Sequence, residues 1–99
     1  MLHVVNKSPS QSRTLASCLR LAQDGSALLL IEDGVYAATR GNADGAALRQ
    51  ACGRLKVYAL QPDCDARAIT PLLVEGITLV DYGGFVDLVA QRKTTHSWL

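Results

Sequence analysis

The chain is expected to fold as an α/β domain: a three-layer sandwich around a small, mostly parallel sheet. Three observations carry that expectation. Short apolar runs recur at residues 2–6, 27–31, 54–60 and 77–80. Stretches with helical spacing of apolar residues separate them, so strand and helix alternate. Connections between them are short, which favours helices crossing over between parallel strands. The run Ala27–Ile31 is apolar at every position, as suits a strand covered on both faces.

Leu2–Asn6 reads as the first strand. Lys7-Ser8-Pro9-Ser10 follows as a loop, because Pro9 restricts its own backbone and that of Ser8. Ser10 or Ser12 is then placed to cap a helix running to about Gln23, with Leu15, Cys18, Leu19 and Ala22 on one face. Asp24-Gly25 ends it. After the second strand, Asp33 is expected to cap a short helix through Thr39, stopped near Gly41. A further helix from about Asp44 to Cys52 places Ala47, Leu48, Ala51 and Cys52 together, and Gly53 closes it. Arg54–Leu60 is the third strand. Pro62 suits a first helical position, and that helix is expected to reach Ala68 before Thr70-Pro71 breaks it. Ile77–Val80 is the fourth strand, and Asp81 caps a helix carrying Phe85, Leu88 and Val89. Thr94–Leu99 adds a last strand or an arm.

Ninety-nine residues suit one domain, here 1–99. Apolar residues make up 48% of the chain, a high share for a domain with so much surface to cover, and this points to a face buried in an oligomer. Net charge is +1 and both signs are dispersed. No basic run is suited to neutralising phosphates, so direct nucleic-acid binding is not expected. No apolar stretch approaches a membrane span, and the start lacks the pattern of a signal segment. A cytoplasmic location follows as the expectation.

The three cysteines, Cys18, Cys52 and Cys64, are widely spaced and odd in number, which argues against a disulfide framework. His3 and His96 lie at opposite ends with no ligand spacing, so no metal is expected. No Gly-rich phosphate loop is present, and no cofactor is expected. Cys64 sits near a helix start, where the backbone dipole favours a thiolate, but Asp63 and Asp65 oppose it and Arg67 offsets them. Cys18 shares a face with Leu15 and Leu19, where a thiol acts as a small hydrophobe. Asp33 and Asp81 each follow a strand, at the edge where ligand sites gather in α/β sheets; each is also a good helix cap. His3, Lys7 and Ser8 surround the first strand. Trp98 either anchors an interface or packs on its own body.

One dispersed pattern runs through the chain. It comprises Leu2-His3, Asn6-Lys7-Ser8-Pro9, Glu32-Asp33-Gly34-Val35-Tyr36, Val80-Asp81-Tyr82, Phe85-Val86-Asp87-Leu88 and Ser97-Trp98. In order and spacing it resembles the DsrH/TusB family of bacterial sulfur-relay subunits, over nearly the full length. The resemblance implies a heterohexamer with DsrE/TusD-like and DsrF/TusC-like subunits, the principal sulfur-carrying cysteine lying in the DsrE/TusD-like partner. Persulfide sulfur would pass to a DsrC/TusE-type carrier, for 2-thiolation of the tRNA wobble uridine or, in the Dsr context, for dissimilatory sulfur oxidation. This chain would then be a non-catalytic or accessory subunit. Some relatives carry a cysteine at the place of Cys18, which makes it the candidate accessory sulfur site and leans toward the Dsr type. The chain departs from the pattern at Ala66-Arg67-Ala68, where relatives often have Gly last; Ala disfavours the positive φ that Gly allows. Two other readings compete: an independent sulfurtransferase using Cys64 and Arg67, and a flavodoxin-like module with a small ligand at the Asp33/Asp81 edge.

Overall fold

Leu28 and Leu30 point to one face of the sheet and Ala27 and Leu29 to the other, and all four are fully buried. The unbroken apolar run of this strand thus serves two cores at once. In the computed structural model, which describes residues 1–98, the strands are β1 (Leu2–Val5), β2 (Ala27–Leu30), β3 (Lys56–Leu60), β4 (Thr78–Val80) and β5 (Thr95–Trp98). Their spatial order is β4-β3-β2-β1-β5 and every pairing is parallel, so the sheet is more uniform than the mostly parallel one expected.

The helices are α1 (Thr14–Leu21), α2 (Ala43–Ala51), α3 (Gln61–Ala66) and α4 (Tyr82–Gln91). From β1 to β4 the chain steps in one direction, and right-handed crossovers then put α1, α2 and α3 on one face. The return from β4 to β5 passes three strands and places α4 on the opposite face. The main core lies under α1 to α3, where Val5, Leu28, Leu30, Val57 and Ala59 meet Leu15, Cys18, Leu48 and Cys64. A smaller core gathers Leu2, Val4, Ala27 and Leu29 around Leu88, with Phe85 packed against it. Each fully buried Leu is worth roughly 2–3 kcal/mol of transfer free energy.

Several boundaries differ from expectation. Helix α1 begins at Thr14, later than a Ser10 cap implied; Arg13 holds the cap position without a side-chain bond, while Ser12, the other candidate, accepts from Thr14 N–H at 3.3 Å. Ser8 explains the delay: its carbonyl accepts from Gln11 and Ser12, winding the chain into a turn first. Asp33 is not a helix cap. Glu32–Ala38 forms a 3-10 helix preceded by Ile31, with no side-chain cap bond, and Asp33 lies inside it. Asn42, not singled out beforehand, caps α2 by accepting from Gly45 N–H at 2.8 Å. Asp81 does cap α4, accepting from Gly84 N–H at 2.8 Å. Helix α3 stops at Ala66, and Ala68 then takes φ 56°, the left-handed conformation its side chain disfavours. Leu99 lies outside the described residues, so β5 accounts for the predicted tail only to Trp98.

Gly34 shows why the 3-10 helix can sit where it does. A Cβ there would lie 2.3 Å from the Val5 carbonyl oxygen, so only glycine lets this turn close over the end of β1.

Candidate functional site

Helix α1 turns Cys18 toward the sheet, where the residue is 0% exposed. Burial pushes its thiol up to about 11, opposed only by the Arg54 guanidinium. At neutral pH the group is therefore a thiol, and neither nucleophile nor leaving group in this state. Arg54 is held by the end of α1: it donates to the Ala22 carbonyl at 2.8 Å, and also to the Leu19 carbonyl and to Asp24. That clamp covers the last turn of the helix and brings a positive charge toward Cys18.

Cys64 is equally buried, at 0% exposure, facing the core from α3. Its thiol also rises to about 11, through burial first, then Asp65 and Asp63, with Arg67 pulling the other way. The acid neighbours noted in the sequence thus oppose ionisation, as expected. Arg67 does not form an anion cradle with it. Its guanidinium binds Asp33 Oδ1 from Nε at 3.0 Å and from Nη2 at 2.9 Å. Nη1 donates to the Asp63 carbonyl at 3.2 Å, and the group lies 5.9 Å from the Tyr36 ring centre. Asp63 in turn accepts from Glu32 N–H at 2.6 Å. These contacts lace α3 to the 3-10 helix; they also explain how Glu32 is kept at φ 50°. Cys52 is half-buried against Gly76, and its thiol is likewise raised by burial.

The two strand-end acids are not brought together. Asp33 follows β2 and Asp81 follows β4, with β3 between them. Two strand spacings separate the strands that carry them, roughly 10 Å, too far for a shared acid–base pair. Asp33 does line an open groove of about 450 Å³ with Ser8, Gln11, Tyr36 and Asn42, but Asp81 does not. Another groove, of about 490 Å³, runs between Arg40, Arg49 and Val74. Neither is lined by a cysteine. Among the described residues no group of three or more His, Cys, Asp or Glu could hold a metal, and no helix is long and apolar enough to cross a membrane.

His3, Lys7 and Ser8 separate into different roles. Lys7 is exposed, whereas Ser8 is buried and its backbone N–H donates to Gln11 Oε1 at 3.0 Å. His3 is buried and accepts from the Trp98 indole at 3.1 Å. Trp98 thus packs on its own molecule. No local sequence signal announces this pair, because its members are 95 positions apart.

A family model described as DsrH like protein matches residues 7–95 of the chain. The chain belongs to the DsrH family. Among the relatives of this DsrH-family chain, protein TusB of Escherichia coli strain K12 is 41% identical over 98 residues, spanning 99% of this chain and 100% of that protein. Protein TusB of Shigella flexneri is 40% identical over the same length. In solved structures, the ychN protein from E. coli superposes with a TM-score of 0.82, covering 97% of each chain at 20% identity. Protein MTH1491 from Methanobacterium thermoautotrophicum gives a TM-score of 0.75 at 17% identity, over 97% of this chain and 95% of that one. At these identities the structural likeness concerns the fold. The resemblance read from the dispersed pattern is therefore correct, and with it the expectation of a sulfur-relay subunit gains support.

Proposed function

We propose that this chain is an architectural and docking subunit of a cytoplasmic sulfur-relay heterohexamer whose reactive thiol lies in a DsrE/TusD-like partner. A DsrF/TusC-like subunit completes the assembly, and a DsrC/TusE-type carrier takes the persulfide sulfur. The observation that carries this reading is the state of the thiols: Cys18 and Cys64 are fully buried, and burial raises all three cysteines. A chain that transferred sulfur by itself would need an accessible thiolate. Burial of Cys64 and the pairing of Arg67 with Asp33 weigh against the independent-enzyme reading.

A docking role also accounts for α4. Its inward residues Phe85 and Leu88 pack on the smaller core, while Tyr82, Val86 and Val89 stand 61%, 66% and 42% exposed. Their i, i+4, i+7 spacing aligns them in one stripe beside the buried face. The chain thus carries more apolar helix surface than its own sheet covers.

The similarity to TusB proteins favours 2-thiolation of the tRNA wobble uridine as the destination; the presence of Cys18 is the one feature favouring the sulfur-oxidation alternative. Cys18 is proposed as an accessory sulfur site only within the assembly. The test is co-purification with the products of neighbouring genes, followed by persulfide alkylation and mass analysis. Association with DsrE- and DsrF-like partners, with the main label on the DsrE-like thiol, supports the proposal. A lone chain that labels on Cys64 at catalytic rates defeats it.

A further inference from the structure

Three rings meet at one edge of the sheet, away from the three cysteines in sequence. His3 lies on β1, and His96 and Trp98 lie on the neighbouring edge strand β5. The strand is only four residues long, and Thr95, His96 and Ser97 are exposed. Trp98 is its single half-buried side chain, packed against the cluster that holds Leu15 and Cys18. Among the described residues, besides the backbone pairing with β1, the strand is held by one side-chain bond, from the indole N–H of Trp98 to His3 Nδ1.

An indole N–H can only donate. Its partner Nδ1 must therefore carry no proton, which sets His3 as the neutral tautomer with hydrogen on Nε2. Adding a proton to His3 places a second N–H against the first, and the bond becomes a repulsive contact. We propose that His3 and Trp98 form a protonation-sensitive latch: β5 stays on the sheet while His3 is neutral, and detaches reversibly when His3 takes up a proton, baring the outer edge of β1 and the apolar seam beneath α1.

The surroundings fit such a device. His96 stacks on Trp98 with ring centres 4.4 Å apart and lies 6.1 Å from His3, close enough to oppose a positive charge there. The N-terminal ammonium is the other charged group acting on His3. From the α1 side, a cavity of about 190 Å³ is lined by Leu21, Gln23 and Ser26, none of them charged. Among the described residues no carboxylate acts on His3 to offset an imidazolium. Burial, then His96 and the ammonium, hold its affinity for protons below the ordinary value of 6.5. The neutral form is the one the fold prefers. The latch is therefore shut above that value and opens as pH falls through the lowered one.

Amide exchange of a peptide covering residues 94–99 in the intact protein tests the proposal, after correction for intrinsic pH effects. In the unaltered chain, exchange is expected to rise roughly tenfold as pH drops below the ordinary histidine range, about the effect of losing one buried hydrogen bond and gaining a repulsion. Trp98→Phe, which keeps the ring and loses the donor, should exchange fast at every pH. His3→Gln, which offers an amide oxygen to the indole and cannot titrate, should stay protected throughout. His96→Gln should move the transition to higher pH. Protection in the unaltered chain that ignores pH, or a pH-driven loss that persists in His3→Gln, overturns the latch. Neither result bears on sulfur transfer, so this proposal and the relay reading fail separately.

Discussion

At the residue scale, the thiols and one alanine decide most. Cys18 and Cys64 each titrate near 11 in the folded chain, against 9.0 for the free group. A raised folded value means the native state holds its proton longer than the unfolded chain. The stabilisation is then complete below 9.0 and is lost as pH rises through about 11. Chemical denaturation across that range should show stability falling, and Cys18→Ala should flatten the fall. Ala68 is the second case. It occupies the left-handed region at φ 56°, where a Cβ is strained. Ala68→Gly is expected to stabilise the fold by about 1 kcal/mol, measured as a higher denaturation midpoint. The departure noted in the sequence at Ala66-Arg67-Ala68 thus falls on a residue that carries backbone strain.

At the element scale, the two aspartates that looked alike part company. Asp81 caps α4 through Gly84 N–H, and Asp81→Ala should cost about 1 kcal/mol in a denaturant titration. Asp33 instead grips Arg67, so Asp33→Ala should loosen α3 from the 3-10 helix, read as faster amide exchange over residues 61–70. Both aspartates follow an apolar strand, and both satisfy the local pattern for a cap. The difference lies in what arrives from elsewhere: Arg67, on the far side of β3 in the chain, reaches Asp33 first. Strand β2 is the element with least tolerance. Leu30→Ala leaves a void under α1 to α3 and should cost 2–5 kcal/mol, within the usual range for a buried leucine.

At the scale of the molecule, the unequal coverage of the sheet matters. Three helices roof one face and a single ten-residue helix the other. Helix α4 is left with apolar side chains turned outward, the form a subunit takes when its remaining cover comes from another chain. Val86→Asp should leave the thermal midpoint of the isolated chain nearly unchanged, because Val86 is 66% exposed. The same change should weaken association with relay partners roughly tenfold or more in a pull-down titration. Unchanged association would show that α4 is not the docking face.

Local chemistry was enough for the class of fold and the order of its elements. Continuous apolar runs mark strands covered on both sides, and helical spacing marks the crossovers between them. The dispersed pattern from Leu2 to Trp98 was enough for the family. Neither could determine whether a given thiol ionises, which acid caps and which pairs, or that the last tryptophan folds back on the third residue. Those outcomes depend on what the chain brings together across long separations: the sheet and α1 around Cys18, Arg67 on Asp33, and β5 beside β1. Burial and charge act through space, and only the packed sheet sets those distances.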